Sequence, residues 1–169
     1  FYQVVHCTHS TERTLKRGAR RNLQRYKLRR DNLIEILKSN GFIDDETILS
    51  ENGNRTTFET YRLRAKSATE EISLQEFARV LLMINKKRGY KSSRKAKSKD
   101  EGQLIDGMDI AKRLYEENLT PGQLSLTLLE EGKKHLPDFY RSDLQNEFDK
   151  VWAFQKQFYD FLTDDLKEE

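Results

Sequence analysis

The sequence predicts an all-α chain, a long arginine-rich helix followed by an irregular helical bundle. Three observations carry this. Apolar residues recur at three- and four-residue steps in segment after segment, and none of the 169 residues falls in a run that alternates convincingly like a strand. Pairs of N-terminal capping residues open several of these segments. Only two prolines interrupt the chain, and its eight glycines leave room for long helices.

The first predicted helix covers residues 11–40. Leu15, Ala19, Leu23, Tyr26, Leu33 and Leu37 fall within an arc of about 80° at 100° per residue, one apolar stripe over roughly seven turns. Gly41, after Ser39 and Asn40, supplies the stop. Residues 42–57 read as a loop with turns, and 58–67 as a short helix. Ser73 with Glu76 forms a capping box ahead of an apolar helix that stops at Gly89. A basic loop follows. Asp106 can cap a helix running to about Asn118, and Thr120-Pro121 with Gln123 opens the next. Ser142 with Gln145 is expected to open the helix that carries Phe148, Val151 and Trp152, and 162–169 reads as a further helix start. Residues 1–10 stay unassigned.

Charge is distributed unevenly. The net +3 divides into +7 over residues 11–38 (ten basic, three acidic) and +8 over 86–99 (eight basic, none acidic). Residues 39–85 carry −3 (five basic, eight acidic) and 100–169 carry −9 (eight basic, seventeen acidic). Two concentrated basic segments in an acidic background point to a polyanionic partner. Arg13, Arg17, Arg21, Arg25 and Arg29 recur every fourth residue, flanked by Lys16, Arg20 and Lys27. Each step climbs about 6 Å along a helix, so successive guanidiniums can take successive phosphates bidentately. Four like-charged i,i+4 pairs would otherwise cost about 1–2 kcal/mol together. The competing reading is a helix neutralised by carboxylates of the acidic C-terminal half.

The second basic segment places Lys86 and Arg88 before Gly89, with Tyr90, Lys91 and Arg94 after it. Glycine lets a backbone approach a phosphate closely; the competing reading is a flexible basic linker. No catalytic constellation emerges. His6, Cys7 and His9 would need further ligands that the sequence supplies only as His135. Asp44, Asp45 and Glu46, like Asp164 and Asp165, read as caps and helix-dipole partners. Phe148, Trp152 and Phe158 read as core, and 135–141 as a packed connector. The single Cys7 excludes a disulfide framework and fits a reducing compartment. No apolar run reaches the ~18 residues of a membrane span, so no membrane partner and a cytoplasmic location are expected. The start at Phe1 suggests a piece of a larger protein.

These segments resemble a known family. "LKRGARRNLQRYKLRRDNLIEIL" (15–37) is similar to the arginine-rich bridge helix of the type II CRISPR RNA-guided DNA endonucleases, particularly the compact II-C branch. "YRLRAKSATEEISLQEFARVLLMINKKRGYKSSRK" (61–95) is similar to the start of their recognition lobe, and 137–158 to a later helix of it. The resemblance covers roughly residues 11–160. It implies a bridge helix over 11–40 and a recognition-lobe segment over 41–169, with the basic loop at 86–99. It implies contact with the guide RNA, a CRISPR RNA with its trans-activating RNA, and with the target DNA strand, through backbone shape rather than base readout.

Arg17, Arg21, Arg25 and Arg29 match seed-contacting arginines, Arg20 and Lys27 further RNA contacts, and Lys86, Arg88, Gly89 and Arg64 additional ones. Asn22 and Tyr26 stand where relatives are often basic. The nuclease modules, with the Mg2+ they use, have no counterpart here, so the fragment itself is expected to bind without a cofactor in a bacterial antiviral endonuclease whose other domains are its partners. Two alternatives remain at this stage: a stand-alone basic helical RNA- or DNA-binding protein, and an interaction scaffold that uses its basic helix.

Overall fold

The computed structural model describes residues 7–49, 58–86, 110, 112–133 and 136–169, with side chains from Thr11 onward except at positions 47 and 48. Among these residues the chain is helical, with no sheet. Helix α1 spans Cys7–Ser39, a single-turn 3-10 helix Glu46–Leu49, α2 Phe58–Lys66 and α3 Leu74–Lys86. A helical stretch over 112–116 precedes α4 (Pro121–Glu130), α5 (Arg141–Gln155) and α6 (Asp164–Glu168).

Local chemistry sets most boundaries. Gly41 sits at φ 74°, Phe42 N–H bonds to Leu37 C=O at 2.9 Å and Gly41 N–H to Lys38 C=O at 3.2 Å, the Schellman pattern that ends α1. The same pattern recurs at Gly132 after α4, and at Asn118 (φ 50°) after the 112–116 stretch. Ser73 and Glu76 exchange the two bonds of a capping box, as do Thr120 and Gln123 around Pro121. Thr163 caps α6. Two expectations shift. Helix α1 starts at Cys7 rather than near Thr11. Helix α5 is capped from Tyr140, not Ser142: Tyr140 N–H donates to the Asp143 carboxylate at 3.2 Å, and Asp143 takes the reaching-back role expected of Gln145. The Asp106 cap and the stop at Gly89 lie outside the described residues.

The main core joins the C-terminal end of α1 to α3, α5 and the segment after α5. Ile34 and Leu37 of α1, Phe42, Phe77 and Val80 of α3, Val151 and Trp152 of α5, and Leu162 are all buried. Phe77 links rings on both sides, lying 5.9 Å from Phe42 and 5.8 Å from Trp152 between centroids. A smaller cluster of Leu114, Leu124, Phe139 and Leu144 holds α4 against α5. Phe148 packs on Trp152, whereas Phe158 is 43% exposed.

Two buried polar devices tie the cores together. Gln155 is fully buried, donates to the carbonyls of Ser67 (2.7 Å) and Glu70 (2.8 Å), and accepts from Ile72 N–H (3.3 Å). It thereby fixes the α2–α3 turn on α5, helped by the Tyr159 hydroxyl, which donates to Ile72 C=O at 2.8 Å. Burial raises the Tyr159 phenol above its ordinary value, so it stays a donor. The second device is an ion pair. Arg64 of α2, 2% exposed, grips Glu147 of α5, 1% exposed, in a bidentate fork with Nε to Oε1 at 2.9 Å and Nη2 to Oε2. Glu147 Oε1 also accepts Gly122 N–H of α4 at 2.7 Å. A Cβ at Gly122 would stand 2.6 Å from Glu147 Oε1 and 2.7 Å from Arg64 Cγ, so only glycine admits this approach.

Removing one partner of such a pair strands a buried charge and costs about 3–5 kcal/mol, while replacing both by apolar groups is far milder. Glu147→Ala should therefore destabilise the fold by roughly that amount, and Arg64→Met with Glu147→Leu by much less. Chemical denaturation of the single and double variants measures the difference.

Candidate nucleic-acid interface

The candidate interface is built on α1. Thirty-three residues make a helix of about 50 Å, whereas the 13 of α3 reach only about 20 Å. Coverage by α3 is therefore confined to the C-terminal part of α1, where Ile34 and Leu37 are buried. Toward the N-terminus the expected apolar stripe runs on uncovered: Leu15 is 68% and Leu23 67% exposed. The arginine ladder occupies the other side. On ideal geometry Arg21 lies roughly 160° around the axis from the middle of the leucine stripe.

Arg13, Arg17, Arg20, Arg21, Arg25 and Lys27 are exposed, and among the described residues none of them forms an ion pair. Lys16 pairs with Glu12 at 2.6 Å, both side chains exposed. The alternative of a ladder neutralised by carboxylates of the same chain is therefore not what the described residues display. Arg29 is partly buried where α1 meets α3. Its Nε has no hydrogen-bond partner, and its carbonyl accepts from Asn85 Nδ2 at 3.4 Å. Lys86 is exposed at the end of α3. Arg88, Gly89, Lys91 and Arg94 lie outside the described residues, as do His6 and the side chains of Cys7 and His9.

Arg64 is the correction. Placed with the RNA contacts by resemblance, it is instead buried against Glu147, and its five donors face protein. The signal in the sequence was its place between the apolar Leu63 and Ala65, both of which the structure buries.

Two cations escaped the sequence reading. Arg30 has a side chain only 17% exposed, and Arg79 lies on α3 beside buried Ala78 and Val80, donating from Nη2 to Thr60 Oγ1 at 3.0 Å. A lone arginine inside the apolar run "EFARVLLM" was the signal available for Arg79. Among the described residues no group of three or more His, Cys, Asp and Glu is placed to hold a metal ion, and no helix is long and apolar enough to cross a membrane.

No family model matches the chain. Over 171 residues it is 29% identical to CRISPR-associated endonuclease Cas9 1 of Streptococcus thermophilus, covering 91% of this chain and 15% of that protein. Over 99 residues it is 30% identical to CRISPR-associated endonuclease Cas9 of Campylobacter jejuni, covering 55% and 10%. Its fold superposes on St1Cas9 in the St1Cas9–sgRNA–tDNA20–AcrIIA6 dimeric assembly with a TM-score of 0.81 at 25% identity, over 98% of this chain and 21% of that one. A segment of Cas9 fits this chain. The superposition on St1Cas9 takes in α1 and the helices after it together. The chain spans between a tenth and about a fifth of the length of the Cas9 proteins it matches.

Arg21→Glu should replace two repulsive i,i+4 contacts, with Arg17 and Arg25, by two attractive ones. At 0.2–0.5 kcal/mol per contact, the exposed part of α1 gains about 1 kcal/mol of helix stability at low salt. Amide exchange over residues 15–28 should slow, and the gain should shrink as salt is added.

Proposed function

We propose that this chain binds the backbone of a guide RNA, and of the RNA:DNA heteroduplex that the guide forms, as the bridge-helix and recognition-lobe segment of a CRISPR RNA-guided DNA endonuclease. The observation that carries this reading is the row of exposed arginines on α1 without carboxylate partners among the described residues. A helix that keeps four like-charged i,i+4 contacts gains from a polyanion what it lacks alone. In this reading Arg17, Arg21 and Arg25 take successive phosphates of one strand as bidentate clamps. Arg13, Lys16, Arg20 and Lys27 widen the positive face, and Arg29 contributes from the edge of the bundle. Lys86, Arg88, Gly89, Lys91 and Arg94 belong to the proposed set as a second contact, while Arg64 does not. The relative's assembly contains sgRNA and tDNA, which supports the choice of guide RNA and target strand as ligands.

Residues 11–40 act as the bridge helix and 41–169 as the lobe segment that anchors it. The exposed leucine stripe, opposite the ladder, suits contact with another part of the same endonuclease. The segment positions RNA and contributes no catalytic group. DNA cleavage, and the Mg2+ it would use, belong to the nuclease parts of the parent protein, in the bacterial cytoplasm.

Affinity for a guide RNA should fall with salt, log K dropping by about 0.7–0.9 per phosphate contact per decade. Changing Arg21 and Arg25 together to Ala should reduce the slope by about 1.4–1.8 and leave the bundle folded. Changing Lys112 and Lys150, exposed on the acidic half, should leave it untouched. A slope near zero for the unmodified chain, or an unchanged slope in the arginine variant, would contradict the reading.

A further inference from the structure

Between α1, α3, α5 and α6 lies a cavity of about 370 Å³. Leu33, Ile36, Leu81, Ile84, Phe148 and Leu166 make most of its wall, so the interior is largely apolar. Pockets that take small molecules run from about 300 to 1,000 Å³ and are apolar with a few placed polar groups. The wall that α6 contributes is fastened to α5 and the turn after it. Lys167 pairs with Asp149 at 2.7 Å, and Asp164 with Lys156 at 2.9 Å.

Two donors in this lining are buried without an acceptor. Arg29 Nε and Trp152 Nε1 have no hydrogen-bond partner among the described residues, although Trp152 is only 4% exposed. Both are N–H groups that can only donate. Among the described residues no buried side-chain acceptor is left over in the same way. Buried polar groups are nearly always paired, so two orphans of one kind on one cavity call for an acceptor that enters it.

Charge and shape narrow the choice. Arg29 forms no ion pair among the described residues, so a cation borders an apolar cavity from the α1 side. On the α6 side Lys167 is already taken by Asp149 and lies 5.7 Å from the Phe148 ring centroid. Exposed Glu169 adds a negative charge there, which keeps an anionic head at the Arg29 end. The rings of Phe148 and Trp152, 5.7 Å apart, offer aromatic surface to a flat body.

We propose that this cavity binds a small aromatic carboxylate. Its carboxylate takes the Arg29 guanidinium, its flat body lies against Leu33, Ile84 and Phe148, and a second oxygen accepts from the Trp152 indole. This goes beyond RNA binding and does not rest on it. Arg29 is the residue shared with the proposed RNA contacts, so the test reads the cavity and not RNA affinity.

The test uses the whole 169-residue chain and naproxen, a naphthalene with a carboxylate at one end and an ether oxygen at the other. Trp152 is the only tryptophan, so its indole N–H gives a single NMR signal. At about 150 mM salt the ladder is screened beyond about 8 Å. Naproxen should there shift the Trp152 indole and Arg29 Nε–H signals together and saturably, with a Kd at or below about 100 μM. Its methyl ester, which lacks the charge, should bind about tenfold more weakly. Arg29→Gln should weaken naproxen by about tenfold and leave the ester unchanged. Ile84→Phe should fill the cavity and abolish saturation with the helical signal kept; Leu33→Phe does the same should the first variant fail to fold.

Absence of saturable shifts at Trp152 overturns the site and leaves its donors to water. Saturation at the ladder arginines with Trp152 unmoved assigns naproxen to the surface and overturns it equally. Equal affinities for naproxen and its ester overturn the carboxylate class. An Arg29→Gln chain that loses naproxen and ester alike marks Arg29 as a residue that shapes the wall and removes it as the ligand's partner. A folded Ile84→Phe or Leu33→Phe chain that binds naproxen undiminished places the ligand outside the cavity.

Discussion

Repulsion between like charges one turn apart is the constraint around which this chain is organised. A helix that repeats arginine every fourth residue cannot draw stability from its own surface, so it must be held from one end. The anchor is the short stretch where Ile34, Leu37 and Phe42 enter the core and where Gly41 turns the chain back in a Schellman motif. Phe42 meets Phe77, and Phe77 meets Trp152, so the end of α1 is locked to α3 and α5 through a continuous row of rings. From that anchor the helix extends toward its N-terminus, and over residues 13–28 both its arginines and its leucines are uncovered.

Arginine plays three roles here, and the position of carboxylates separates them. Arg64 has Glu147 within bidentate reach and is buried, where it connects α2, α4 and α5 and demands glycine at position 122. Such a pair specifies how helices meet more than it adds net stability, because desolvation offsets most of the attraction. Arg30, its side chain 17% exposed, has only long or neighbouring carboxylate contacts. The ladder arginines have no ion pair among the described residues. The same side chain is therefore structural, poised or open to a ligand according to what surrounds it. Sequence spacing alone does not distinguish these states for a single arginine; it does for a row of five.

Most of the fold was legible because it is written in local chemistry. The boxes at Ser73–Glu76 and Thr120–Gln123 and the stop at Gly41 depend on residues within a few positions of each other, and all three appear. The start of α5 was misplaced because Tyr140 and Asp143 make the same reaching-back bond that Ser142 and Gln145 were expected to make. Arg64 was misassigned because its partner lies 83 residues away, a distance that no local pattern encodes. The extent of the uncovered leucine stripe depended likewise on the length of α3, which limits how much of α1 can be packed. The ladder itself was legible, since periodicity along one helix is a local property; the cavity was not, because it forms only where α1, α3, α5 and α6 meet.

The central claim concerns where RNA meets the chain, and hydrogen exchange resolved by residue tests it most directly. Residues 33–39, already anchored, should exchange slowly with or without a guide RNA. Residues 11–28 should exchange faster in the free chain and slow by at least tenfold when the RNA is added at low salt. Protection confined to the acidic helices α4 and α5, with exchange over 11–28 unchanged, would contradict the account.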